Sequence, residues 1–375
     1  MGTHGVIAAG QLLLTLTSVS LLFACLQSNG AMEAAAQRVL GLSRGRVALL
    51  PLVFFVLAAL LAMVGPGAIL SVALLAPMAM RTGVPVGISP FLIALMIGNG
   101  ANAGNLSPFS SIGVIVNGLM TRSGLGGHGL RVWFFHAAAH LAVALGAYLL
   151  FGGLGLSWRT AGSAKQRIPR LTRPQAVSLA ALFLWMAVVI VLRWPLGWTA
   201  LGFGAALLLF SFAPWRVAVA KMPWKVIGMV VTISTAVGFI EQAGGLQWFQ
   251  AAVSNYATSL TVHPLLAFLT GIISAYSSTS SVVLPAFLPM VPGIAARLPG
   301  TDAVALAISI NIGSAMVDVS PLSTIGALCV AAAPEGSNKP QLFTRLMIWG
   351  FAMAFVAAGI CYFASPWFPP TAGYQ

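Results

Sequence analysis

Long runs of apolar residues, separated by short polar or basic stretches, dominate the chain. Runs beyond ~18 residues mark helices that cross a bilayer. The first run predicts a helix over Leu12–Gln27. After Asn29-Gly30 comes an amphipathic stretch, Ala31–Leu40, suited to the membrane interface. Ala48–Met80 is apolar apart from its basic neighbours and a break at Gly65-Pro66-Gly67. Each arm, about 20–25 Å long, falls short of a ~30 Å hydrocarbon core, which predicts a re-entrant hairpin. Ile88–Met120 as one straight helix would be ~50 Å long, too long for one crossing. The polar stretch Asn102–Pro108 resolves this as two half-helices with unwound backbone between them. Leu130–Gly152 predicts another helix, and Ser157–Pro174 a polar linker.

Ala176–Leu192 and Gly197–Ala213 predict two more helices, and then the earlier order returns. Val226–Glu241 matches the first helix and Leu246–Tyr256 the interfacial stretch. Pro264–Ile294 matches the hairpin, with Ser277-Ser278-Thr279 opposite Gly65-Pro66-Gly67. Thr301–Ala333 matches the broken helix, and Leu342–Ala364 closes the chain. The expected fold is an all-α polytopic membrane protein: one repeat in 1–156, a basic cytoplasmic linker in 157–174, and a second repeat in 175–375. With the linker inside, every Lys and Arg except Arg122, Arg131, Arg193 and Arg297 lies on the cytoplasmic side, the positive-inside bias. This threading gives about eight full crossings plus two hairpins, both termini outside, and hairpins entering from opposite faces. The halves are then inverted repeats, each with a re-entrant hairpin and a broken helix, an architecture of secondary transporters. The second repeat has two helices ahead of its matched first helix, where the first repeat has only the short stretch before Leu12. That asymmetry reads as amino-terminal truncation, or as absence of two outer scaffold helices.

Composition agrees: 59% of residues are hydrophobic and 6% charged, against about 25% charged in soluble domains. The net charge of +13 sits in clusters between apolar runs, which argues against a nucleic-acid partner. Cys25, Cys329 and Cys361 lie in apolar segments without metal spacing and read as packing residues. The amino terminus lacks a basic n-region, so no cleaved signal peptide is expected.

The two breaks carry the same core, Ser-Pro-(Phe/Leu)-Ser-(Ser/Thr)-Ile-Gly, at Ser107–Gly113 and Ser320–Gly326. Proline removes a backbone donor and frees a carbonyl. A half-helix starting at each Ser-Pro would aim its amide end at the break and attract an anion. Ser107, Pro108, Ser110, Ser320, Pro321 and Ser323 are the substrate candidates here, with Ser111 and Thr324 beside them. Ser277, Ser278 and Thr279 join them from the second tip. Freed carbonyls and oxygen-bearing side chains suit Na⁺ as coupling ion, and Gly65, Gly67, Asn102, Asn105, Ser314 and Asp318 are the cation candidates. Each break alone could be a proline kink with locally satisfied hydroxyls; recurrence at matched positions favours a site. Asp318 is the only carboxylate deep in an apolar run, apart from Glu241 at a helix end, and such a residue is functional by default. His136 and His140 share a helix face but lack a third metal ligand, and read as packing or interfacial residues. No Lys or Arg falls in a break, so an anion would be held by helix dipoles, hydroxyls and co-bound cations. No nucleophile–base pair is legible, which argues against a membrane-embedded enzyme.

The stretches Gly65–Met80, Gly100–Met120 and Asp318–Leu328 (GPGAILSVALLAPMAM, GANAGNLSPFSSIGVIVNGLM, DVSPLSTIGAL) resemble the ion transporter superfamily. The closest similarity is to dicarboxylate carriers of the MatC (malonate carrier) type. The resemblance runs from about Leu12 onward. It implies a fold like that of the divalent-anion/sodium symporters, uptake of C3 or C4 dicarboxylates, Na⁺ coupling and elevator motion of the hairpin-bearing domain. A homodimer and a place in a bacterial inner membrane are further expectations. Those symporters carry Ser-Asn-Thr at both tips; here the first tip is Gly65-Pro66-Gly67. A Na⁺/H⁺ antiporter, an arsenite-type or other anion permease of the same superfamily, or an inactive truncated carrier are the alternatives.

Overall fold

The computed structural model describes residues 3–41, 46–64, 67–156, 170–192, 194–222, 224, 227–228, 232, 236, 239, 243–277 and 279–368. Gly65, Pro66 and Ser278, residues 157–169 of the expected linker, Arg193 and most of the expected helix Val226–Glu241 lie outside the described residues.

Among the described residues the ordered elements are helical. They are α1 (Thr3–Ser28), α2 (Ala31–Gly41), α3 (Leu50–Met63), α4 (Ala68–Gly83), α5 (Pro90–Asn105), α6 (Ser111–Arg122) and α7 (Gly129–Leu150). Then follow α8 (Arg173–Leu192), α9 (Leu196–Leu209), α10 (Trp215–Lys221), α11 (Gly245–Tyr256) and α12 (Val262–Tyr276). A composite returning arm over Thr279–Arg297 leads to α13 (Ala303–Met316), α14 (Thr324–Ala332) and α15 (Lys339–Ala364). Five helical stretches among the described residues are long and apolar enough to cross a membrane, and α1 with α2 forms a sixth candidate bent by 71°. The chain is an integral membrane protein by this measure.

Local chemistry explains the boundaries. Ser89 caps α5 by accepting from the Leu92 amide at 3.1 Å, with Pro90 as first helical residue. Asp302 caps α13 at the matched position, accepting from the Ala305 amide at 2.8 Å. α1 begins at Thr3, earlier than the hydropathy boundary, and Lys221 closes its end by donating to the Gln27 carbonyl at 2.8 Å. The returning hairpin arms are also longer than expected. A 3-10 turn extends α4 to Val86, and both returning arms run 19 residues. That is about 28 Å of helix, so length alone does not make these arms re-entrant.

The halves repeat one set of contacts. α3 packs on α5 as α12 packs on α13, and α5 on α7 as α13 on α15. Glycine permits the first contact in both halves. A Cβ on Gly100 would meet the Phe55 backbone, and one on Gly313 the Ala267 backbone. Every residue of Phe91–Asn105 and of Ala303–Met316 is buried. Such all-round apolar helices belong in the interior, where unwound backbone is tolerated. Each second half-helix then crosses to the other half: α14 packs on α4, and α6 on the returning arm 279–297.

The two helices expected to be outer scaffold are not only that. α9 lies along α1, and the fully buried Trp185 of α8 meets Phe109 of the first break, ring centroids 6.0 Å apart. Asn29 fastens this layer, donating to Ser178 Oγ at 2.7 Å and to the Phe212 carbonyl at 2.9 Å.

Candidate functional site

A broken helix leaves carbonyls without their usual partners, and burial makes each costly unless another donor arrives. At the first break all four are accounted for. His136 Nε2 donates to the Asn102 carbonyl at 3.0 Å, and Trp133 Nε1 to the Ala103 carbonyl at 3.0 Å. The Ser107 amide reaches the Gly104 carbonyl at 3.1 Å, and Ser110 Oγ donates to the Asn105 carbonyl. The expected free carbonyls are therefore occupied. His136 and His140 are not interfacial: both are buried mid-helix, at 1% and 0% exposure.

Ser107 and Pro108 form a turn that precedes the half-helix rather than starting it. The Ser110 amide closes on the Ser107 carbonyl at 2.9 Å, and Ser107 Oγ accepts from the Phe109 amide at 3.3 Å. α6 begins at Ser111, with Ser110 Oγ accepting from the Gly113 amide at 2.9 Å. The second break repeats this. The Ser323 amide meets the Ser320 carbonyl at 3.0 Å, Ser320 Oγ accepts from the Leu322 amide at 3.4 Å, and Ser323 Oγ donates to the Asp318 carbonyl. Here Ser323 makes no side-chain cap to α14. Leu322 and Thr324 are exposed, Pro321 is buried between Ser320 and Leu322, and the start of α14 is the open helix end of the pair.

Each tip is tied to the break of its own half. Gly67 has φ of 82°, a left-handed conformation that glycine adopts without strain. Asn105 Oδ1 accepts from the next amide, Ala68, at 2.9 Å. At the matched positions Thr279 Oγ1 lies 2.7 Å from Asp318 Oδ1. That hydroxyl is also 2.5 Å from Ser274 Oγ and 3.1 Å from the Ser314 carbonyl. One hydroxyl carries one proton, so four oxygens converge with too few hydrogens between them. Thr279 opens a π turn, Thr279–Val283, a distortion frequent at functional sites. Ser277 stands apart, its hydroxyl donating back to the Ile273 carbonyl at 2.8 Å, and Ser314 Oγ is spent on the Ile310 carbonyl at 2.7 Å.

The breaks touch through Asn102, whose Nδ2 donates to the Ala315 carbonyl at 3.2 Å while its Oδ1 has no partner. A cavity of ≈ 270 Å³ opens beside the first hairpin, lined by Gln27, Glu33, Leu61, Leu70, Ser71 and Leu74. The Glu33 carboxylate makes it a poor place for an anion, so we locate the candidate site at the breaks. A serine–histidine contact, illegible in the sequence, joins His263 Nδ1 to Ser309 Oγ at 3.0 Å. Ser309 donates its proton to the Ala305 carbonyl at 3.1 Å, so that histidine does not activate it.

No curated protein matches the chain. Residues 3–105 match a family model, the dicarboxylate carrier protein MatC N-terminus. The match covers the first hairpin and ends at Asn105, the last residue of α5. It supports a MatC-type dicarboxylate carrier, and so a transporter.

Proposed function

We propose that the chain is a secondary active transporter that imports a small dicarboxylate of the malonate or C4 type, coupled to Na⁺. One observation carries the reading: two breaks whose Ser-Pro turns share their hydrogen bonds, each tied to its own hairpin tip, meet at the Asn102–Ala315 contact. The open amide end of α14, with Ser320 and Ser323 behind it, suits one carboxylate of the substrate. The second carboxylate faces Ser107–Ser110 across the contact. Na⁺, a hard cation, fits the oxygens of Ser274, Thr279, Ser314 and Asp318, which supply ligands at a hairpin tip that substrate binding would seal. At the first tip the Gly67 backbone and Asn105 play the matching part.

In this reading the halves are inverted repeats, the hairpins re-entrant, and the hairpin-bearing body moves as an elevator, with both termini outside the bacterial inner membrane and a homodimer as scaffold. The shared contacts of the two halves support it, as does the bias of basic residues toward one side. The test is uptake of radiolabelled malonate and succinate into proteoliposomes with and without an inward Na⁺ gradient. Uptake that rises with the gradient is expected. Na⁺-driven proton efflux without dicarboxylate uptake would replace the proposal with an antiporter.

A further inference from the structure

Helix α7 carries two buried imidazoles that the site above uses only in part. His136 Nε2 meets the Asn102 carbonyl. A carbonyl only accepts, so Nε2 holds the proton and Nδ1 is a bare lone pair. His140 Nδ1 lies 3.1 Å from Asn99 Oδ1, and the Asn99 amide is oriented by its own bond to the Leu95 carbonyl at 2.9 Å. His140 therefore carries its proton on Nδ1 and leaves Nε2 bare. The rings stand face to edge, centroids 4.6 Å apart. His136 Nδ1, His140 Nε2 and Asn102 Oδ1 are all buried without partners. Asn311 Oδ1, on α13, which packs on both α5 and α7, is a fourth. All four are acceptors. Buried partnerless donors also occur, at Arg131 and Trp349, but the two ring nitrogens and the Asn102 oxygen, joined through the His136–Asn102 and ring–ring contacts, are acceptors that suit something that brings hydrogen.

We propose that His136 and His140, with the bare Asn102 and Asn311 oxygens on the adjoining helices, bind one proton that is taken up together with the dianionic substrate. The proposal rests on reading the breaks as the anion site. A proton from water adds to one bare imidazole nitrogen, and no bond breaks in the protein. On His136 the imidazolium lies one hydrogen bond from Asn102, the residue that joins the two breaks, and on His140 one hydrogen bond from Asn99. It supplies positive charge beside the first break, which holds no Lys or Arg within its own residues. The second ring, in contact with the first, stays neutral because two charges so close repel. Among the described residues of the elements packed on α7, ionisable groups are sparse. α5 and α13 contribute none, α6 only Arg122 at its far end, and α7 itself, besides the two histidines, only Arg131 near its start and Tyr148 near its end, whose hydroxyl donates to the Ala48 carbonyl. Asp318 follows α13 and is engaged by Thr279, and His263 on α12 is engaged by Ser309.

Nitrogen-15 NMR of the imidazoles in nanodisc-embedded protein tests this directly, with His136→Gln and His140→Gln assigning the signals. In chloride at high pH both rings should show one bare and one protonated nitrogen, in opposite tautomers. Between about pH 9 and pH 4 one ring alone should convert to imidazolium, and malonate should move that conversion towards neutral pH. Two rings that stay neutral throughout, bare nitrogens filled by water only, overturn the proposal; so does a conversion that malonate leaves in place while calorimetry detects its binding. If malonate and succinate give no heat at all, the carrier reading fails instead, and the chloride titration still judges the pair. In proteoliposomes at fixed Na⁺, wild-type uptake should fall about tenfold per pH unit on the alkaline limb, a slope of one proton. The double variant His136→Gln with His140→Gln should flatten that slope whatever its absolute rate; an unchanged slope counts against the site.

Discussion

Removing the Thr279 hydroxyl isolates the tip-to-break connection of the second half. Thr279→Val keeps the shape and deletes the oxygen that stands 2.7 Å from Asp318 Oδ1 and 3.1 Å from the Ser314 carbonyl. Both partners are buried, Asp318 at 8% and Ser314 at 0% exposure. A hydrogen bond to a charged group contributes about 1.5–3 kcal/mol, and the partner left behind adds a desolvation cost. At about 1.4 kcal/mol per tenfold change, the Na⁺ concentration for half-maximal uptake should rise roughly tenfold to a hundredfold. Thr279→Ser restores the oxygen and should stay within about threefold of wild type. The assay is initial malonate uptake in proteoliposomes across a Na⁺ series, normalised to reconstituted protein. A Thr279→Val protein of normal yield whose Na⁺ dependence matches wild type would refute the cation assignment. A Thr279→Ser protein as impaired as Thr279→Val would show that the methyl packing, and not the hydroxyl, had been disturbed.

The remaining expectations bear on the same frame. Asp318→Asn removes the charge from the oxygen cluster and should abolish Na⁺ stimulation while leaving membrane insertion intact, read by uptake and by yield in the membrane fraction. Gly100→Ala and Gly313→Ala each drive a Cβ into the backbone of a hairpin arm; overpacking of this kind costs about 1–3 kcal/mol or more, so both should lower the unfolding temperature in detergent, whereas Gly87→Ala, with open space around its Cβ, should show only the smaller strain of its positive φ. Trp133→Phe leaves the Ala103 carbonyl without its donor and should lower stability by about 1–3 kcal/mol, measured by the same melt. Asn105→Leu uncaps α4 at Ala68; a loss of about 1 kcal/mol and a weaker substrate affinity are expected.

The positions of the apolar runs, and of the breaks inside them, were legible in the sequence because a bilayer punishes polar backbone and proline wherever they fall. Hence α2, α7, α11 and α15 lie close to their hydropathy boundaries, and the Ser-Pro repeat announced both breaks. The helix-starting residues did not follow the same logic: Ser107-Pro108 looked like a helix start, yet the chain spends those residues on a turn and begins α6 at Ser111. The Gly104 and Asn105 carbonyls are filled locally, by the Ser107 amide and Ser110 Oγ, but what fills the others was decided by tertiary structure. Trp133 and His136 reach the first break from α7, Asn102 reaches Ala315 across the chain, and Trp185 reaches Phe109 from a helix that looked peripheral. A hydrogen bond is fixed by distance and direction, and neither is written in the spacing of residues on separate helices. The sequence therefore determined where the helices must yield, and packing determined which groups hold them open.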